Sequence, residues 1–275
     1  MGKGDFRSRE NAWGWALKSG LALTVLFLLS GWRPGLAQAF DHQYSRLGTV
    51  LGKYTVEGLV NYKRLKKSPG DLDGFLESAN ALSKEEYDSW RDREKTAFWI
   101  NVYNATVLRV VSDYYPFVKR LDWRRFKYPK NSIQQIPNVW KQKLAKVFGR
   151  QYSLDEIRQD ILAREFKDPR IYFALTDASM SSPRLRNLPY LPDVLSTTLD
   201  EQCRRFLKEP QNFERAPSGD KIFLSRIFEW HREEFGGENG ILAFVRKYAP
   251  EGVRDEIPER AKIKWLEYEW ALNEK

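Results

Sequence analysis

Cysteine occurs once in this chain, at Cys203, and that single thiol narrows the possible folds more than any other feature. It excludes an internal disulfide framework, a cysteine-rich zinc ribbon and an iron–sulfur cluster. Only two histidines, His42 and His231, stand beside it, too few for the donor set of an ordinary zinc site. No metal and no cofactor are therefore expected, and an apolar core must hold the chain together. The means are present: 42% of the 275 residues are hydrophobic and 30% charged, a globular balance.

The first 39 residues read as an address rather than as part of that core. Lys3, Arg7, Arg9 and Lys18 outweigh Asp5 and Glu10, an apolar run follows over Leu21–Leu29, and Ala37-Gln38-Ala39 has the small-x-small form that a signal peptidase accepts. This order predicts a secretory signal peptide over 1–39 and a single domain over 40–275. Trp32 stands where a lipoprotein would need its acylated cysteine, so no lipid anchor is expected. No run reaches the ~18 apolar residues of an ordinary membrane-spanning helix, so no transmembrane anchor is expected after cleavage. The expected destination is the periplasm or the exterior, or the thylakoid lumen in a photosynthetic host. Cleavage takes away five basic and two acidic side chains, lowering the formal net charge from +9 to +6. That surplus suits an envelope or lumenal protein, or an acidic polymer, as partner. Nucleic acid is not expected. The densest basic stretch, Lys119 to Lys130, interleaves Arg124, Arg125 and Lys127 with Trp123, Phe126 and Tyr128. It reads as a solvated loop anchored by its aromatics.

From Tyr44 onward helix and strand signals alternate, which predicts an α+β fold, mostly helices with a small sheet of short strands. Leu47, Val50, Leu51 and Tyr54 recur at helical spacing within 44–65. Ser83 with Glu86 forms a capping box that opens a long helix to about Tyr115, and Ser153 with Glu156 forms a second, for a helix to about Phe166. Further helices are expected over 193–207, 226–235 and 238–248. Ile171–Leu175 and Lys221–Leu224 have the look of buried strands, and Leu266–Leu272 alternates with period two, a third strand.

Cys203 lies on an apolar stripe with Leu199 and Phe206 and reads as a packed small hydrophobe rather than a nucleophile. Neither histidine has a partner nearby in sequence. Asn101 and Asn104, three apart in the most apolar part of the longest helix, would either pin a neighbouring backbone or line a polar pocket. The loop Thr176–Arg186 gathers Asp177, Ser179, Ser181, Ser182, Arg184 and Arg186 after a predicted strand, a common place for function. No histidine within it could activate a serine.

Five motifs in order, Phe98-Trp-Ile-Asn-Val-Tyr-Asn104, Tyr152–Ile157, Asp168–Leu175, Ser182-Pro-Arg-Leu-Arg186 and Leu266–Asn273, give a chain that resembles the domain of unknown function 547 family. The resemblance runs over about Phe40 to Asn273 and implies kinship with bacterial exported proteins and with plant proteins. Family members commonly carry histidine where this chain has Tyr172, and cysteine where it has Asp177 and Ser182. That trio implies thiol chemistry, or a disulfide across the loop, for the family and neither for this chain. Tyr172 is no base near neutral pH, and an unactivated Ser182 is a poor nucleophile. If the relatives' cysteines form a staple, a contact from Arg184 or Arg186 to Asp177 would replace it.

Two readings follow. The first is an exported binding or assembly module that keeps the scaffold without the thiols. The second is a hydrolase or transferase in which Ser181 or Ser182 attacks, Arg184 holds developing charge, and His231 or His42 arrives by folding near Asn101 and Asn104. The candidate pocket comprises Asn101, Asn104, Asp177, Ser181, Ser182, Arg184 and Arg186.

Overall fold

One helix of 23 residues, Asp92–Tyr114, organises the first half of the protein in a computed structural model that describes residues 39–117 and 124–275. Every residue of it from Thr96 to Leu108 is buried. A helix apolar on all sides, with no glycine or proline to interrupt it, belongs at the centre of a core. The predicted signal peptide lies outside the described residues, apart from Ala39, as do Lys119, Arg120 and Trp123 of the basic stretch. From Phe40 the chain forms one compact unit.

The elements run α1 Ser45–Tyr54, β1 Thr55–Val56, β2 Leu59–Val60, α2 Tyr62–Lys67, α3 Gly70–Ala81, α4 Lys84–Asp88 and α5, the central helix. After α6, Arg124–Lys127, come the hairpin β3 Lys143–Val147 and β4 Arg150–Ser153, a π-helix over Glu156–Ala163, and its continuation α7, Arg164–Phe166. The C-terminal third holds α8 Leu195–Lys208, β5 Phe213–Arg215, β6 Lys221–Leu224, α9 Arg226–Trp230, α10 Gly237–Tyr248, α11 Glu251–Arg254 and β7 Lys262–Trp265. In its sheet β5 pairs antiparallel with β6, and β6 pairs parallel with β7. The fold is α+β: mostly helices, with sheets of two or three short strands. Among the described residues no helix is long and apolar enough to cross a membrane, and no group of three or more His, Cys, Asp or Glu could hold a metal ion.

Two apolar clusters divide this unit. The first packs α1, α2 and α3 around α5, with Leu47, Leu65, Leu72 and Ile100 fully buried. The second joins Phe173, Cys203, Phe206, Phe228 and Phe244 with the apolar faces of α8 and α10. Each large side chain so buried stabilises the fold by roughly 1.5–3 kcal/mol before chain entropy is charged against it.

Several expectations need correction. The helix foreseen over 44–65 stops at Tyr54, because Glu57 and Gly58 both take positive φ (53° and 87°) in a tight hairpin turn and Asn61 then caps α2. The Ser83 helix breaks after Asp88, and Glu94 caps a new start by accepting from the Arg91 backbone at 2.8 Å. Ile171–Leu175 is not a strand: Asp168 accepts from the Arg170 backbone at 3.0 Å, Pro169 follows, and the chain coils as a 3-10 helix over Pro169–Phe173. The last strand, β7, ends at Trp265. Leu266 still donates to Leu224 of β6 at 2.8 Å, but the rest of the segment bonds to loops, Ala271 accepting from Met180 N at 2.8 Å and Leu272 donating to the Asn131 carbonyl at 2.9 Å. In the basic stretch, Gln135 ties down α6 and its exit by donating to the carbonyls of Arg124, Tyr128 and Pro129.

Candidate functional site

The 3-10 turn hands the chain from one core to the other: Ile171 packs in the first, Tyr172 and Phe173 in the second. The loop that follows is held from below by α5. Asn104 accepts from the Thr176 backbone at 2.9 Å and donates to the Ala174 carbonyl at 2.8 Å. Asn101 grips Tyr190 in the same way, at 2.9 and 2.8 Å. Both asparagines are therefore backbone pins, and the amide pair contributes to the site by fixing where the loop runs.

With Thr176 pinned, its hydroxyl accepts from the Ala178 backbone at 3.1 Å, and Ala178 takes φ 53°. The result turns Asp177 inward. Its carboxylate accepts from Tyr103 Oη on α5 and from Tyr268 Oη on the C-terminal segment, each at 3.3 Å. Arg158, on the π-helix, stands 3.6 Å away. The expected arginine partner was Arg184 or Arg186; the structure supplies Arg158. Arg184 instead pairs with Glu209, donates to the Glu57 carbonyl at 3.0 Å, and lies so close over Gly58 that a Cβ there would stand 2.8 Å from its own. Arg186 lies over the Tyr190 ring, 5.2 Å from its centroid.

Burial raises the Asp177 carboxyl above the usual carboxylate range, with Arg158 pulling the other way. Arg158 donates to Asp155 at 2.7 Å and lies over Trp140, 5.4 Å from the ring centroid, and its buried Nε has no hydrogen-bond partner among the described residues. Burial works against its charge, but Tyr103, Asp177 and Asp155 hold the guanidinium protonated.

His231 stacks on Tyr172 at 3.7 Å between ring centroids. Tyr172 donates to Glu234 at 3.1 Å. Burial, and then the charge of Arg158, push the imidazole down to about 3. Arg158, Tyr172, Asp177, Trp230 and His231 share a cavity of about 10 Å³, the size of a single water site. His42 lies elsewhere, edge-on to Trp90 at 4.4 Å.

The serines face different partners. Ser181 Oγ accepts from the Glu269 backbone at 2.9 Å. Ser182 Oγ lies 3.3 Å from Thr176 Oγ1 and donates to the Pro183 carbonyl at 3.3 Å. Among the described residues neither hydroxyl hydrogen-bonds to a histidine. Cys203 is fully buried in α8, and burial pushes its thiol up.

Sequence reasoning missed Arg158, Tyr103 and Tyr268 as partners of Asp177. A signal for Arg158 existed, an arginine between Ile157 and Ile161 on a helix drawn with its apolar face inward, but only the fold shows what it meets. The arrangement defines a class: an α+β domain whose central helix pins a loop so that one buried carboxylate meets an arginine and two tyrosines. Residues 87–207 match the family described as protein of unknown function, DUF547. That span includes Asn101, Asn104, Arg158 and the Asp177 loop, and leaves the motif Leu266–Asn273 outside it. No curated protein matches the chain, and no solved structure does.

Proposed function

We propose that this protein is an exported binding or assembly module, with the Asp177 loop as scaffold rather than as catalyst. One observation carries the reading: Ser181, Ser182 and Arg184, the groups meant to attack and to hold charge, are each tied up by the protein itself. Ser181 holds the C-terminal segment, Ser182 holds its own loop, and Arg184 is tied to Glu209 and Glu57. A neutral imidazole at about 3 is a feeble base, far from the operating range of a general-base catalyst. The buried thiol is equally unsuited to attack. The surplus positive charge after residue 39 favours a partner bearing acidic groups, in the periplasm, the exterior or a lumen.

The test pairs two assays on the chain beginning at Phe40. Co-sedimentation with an acidic envelope polysaccharide should show retention at low salt that falls steeply as salt rises. Turnover of activated esters should not exceed that of the Ser181→Ala/Ser182→Ala double variant. Ester turnover abolished by the double substitution would reverse the assignment in favour of a hydrolase. Absence of both retention and turnover would remove the acidic-polymer partner.

A further inference from the structure

A larger cleft, of about 400 Å³, opens where α4, α5, the β3–β4 hairpin and the π-helix meet. Its volume falls in the range of small-molecule sites. The floor is aromatic: Tyr87, Trp99, Phe148 and Tyr152 contact one another, with Tyr87–Phe148 centroids 4.9 Å apart and Trp99–Tyr152 5.2 Å apart. Trp99 donates its indole N–H to Tyr87 Oη at 2.8 Å, so these two buried polar tips satisfy each other, and the half-buried rings of Phe148 and Tyr152 supply the accessible aromatic surface.

The rim is charged, and its internal pairing leaves a specific remainder. Lys84 pairs with Asp88, Glu156 with Lys143, and Asp160 with Arg164 at 3.2 Å. Among the described residues, Lys95, Arg150 and Glu165 make no ion pair. Lys95 donates to the Asp88 carbonyl at 3.3 Å and lies 5.4 Å from the Tyr87 centroid. Arg150 lies 4.9 Å from the Tyr152 centroid. Glu165 sits on the turn that continues the π-helix, and its charge helps burial to raise the Tyr87 hydroxyl. Two cations and one carboxylate, from α5, β4 and α7, therefore border an aromatic floor, beside the wall that Glu156, Asp160 and Ile161 of the π-helix supply.

We propose that this cleft binds a zwitterion of the amino-acid or short-peptide class. Its carboxylate lies between Lys95 and Arg150, its ammonium group faces Glu165, and its apolar side chain rests on the rings. A plain anion would leave Glu165 opposed to it, and a plain cation would meet Lys95 and Arg150. The zwitterion is the one simple charge pattern that answers all three groups. The site is separate from the Asp177 loop and does not depend on the reading given for it.

Calorimetric titration of the full chain with phenylalanylalanine, its N-acetyl form and its C-terminal amide tests the assignment. The free dipeptide should bind saturably, and each blocked form should bind about three- to tenfold more weakly. Arg150→Gln and Glu165→Gln, both at exposed positions, should each weaken the free dipeptide by a similar factor with unchanged melting curves. Acetylation should cost nothing further in the Glu165→Gln variant. No saturable heat with the free dipeptide, or binding indifferent to acetylation or to amidation, would overturn it.

Discussion

Asn104 sits beneath one loop and Asp177 within it, both buried, yet they are satisfied in different ways. Asn104 donates and accepts at 2.8 and 2.9 Å, and both of its partners are backbone groups of the loop itself. Asp177 has partners from three separate elements, all at 3.3 to 3.6 Å, and none of them is backbone. A buried amide closed on backbone is a fixed structural joint. A buried carboxylate held loosely by an arginine and two phenols retains electrostatic leverage, because its charge depends on several groups that can each be removed. In this domain the amides set the geometry and the carboxylate concentrates the cost of error.

The sharpest way to break that contrast is Arg158→Met, which leaves Asp177 buried without its counter-charge. A loss of about 3–5 kcal/mol is expected at pH 7, read as a melting temperature lower by roughly 10 °C, with recovery in Arg158→Met/Asp177→Leu. Unchanged melting would mean that Asp177 carries no charge.

Next in size is a response to acid. His231 faces Arg158, Tyr172, Asp177 and Glu234 and binds its proton well below the ordinary 6.5, at about 3. Between those values the unfolded chain holds more protons than the native one. Stability is therefore full above pH 6.5 and falls as pH drops, by about 3 kcal/mol at pH 4.5. Asp177 acts with the opposite sign, since its raised pKa makes its burial less costly as it protonates. Melting curves of His231→Phe in an Asp177→Asn background should lose the slope that Asp177→Asn alone retains.

Asn104→Ala strands a buried N–H and a buried C=O, so about 2–3 kcal/mol should be lost, with hydrogen exchange at Thr176 accelerating beyond that of its neighbours. Equal acceleration along all of α5 would show that the amide supports the helix rather than the loop. The smallest effect belongs to Ser182→Ala, whose two contacts are long: under about 1 kcal/mol by chemical denaturation.

How much of this was legible beforehand divides along the same lines. The helix starts at Ser83 and Ser153, the apolar α5, the packed Cys203 and the pinning role of the asparagines all rest on local chemistry: a hydroxyl and a carboxylate three residues apart, or an amide amid aliphatic side chains. The errors also have local causes. An aromatic pentapeptide such as Ile171–Leu175 is too short for periodicity to separate strand from turn, and Asp168-Pro169 decided it. Leu266–Leu272 alternates like a strand because its faces alternate in burial, but beyond Leu266 its backbone partners are loops. Arg158 and Tyr268 are 19 and 91 positions from Asp177, and no spacing rule reaches that far.

The far end of the chain has a kinetic consequence. Asn273 accepts from Tyr62 Oη at 2.7 Å and donates to the Gly58 carbonyl, while Lys275 N bonds to Val60. Residues more than 200 positions apart thus close the β1–β2 hairpin and the start of α2. Loop closure on that scale is slow, and it comes after the local helices have formed. A polypeptide emerging from its N-terminus would remain without its final latch until Asn273 arrives. Its folding clock is set by the meeting of Asn273 with Tyr62 and Gly58 rather than by the helix that dominates its core.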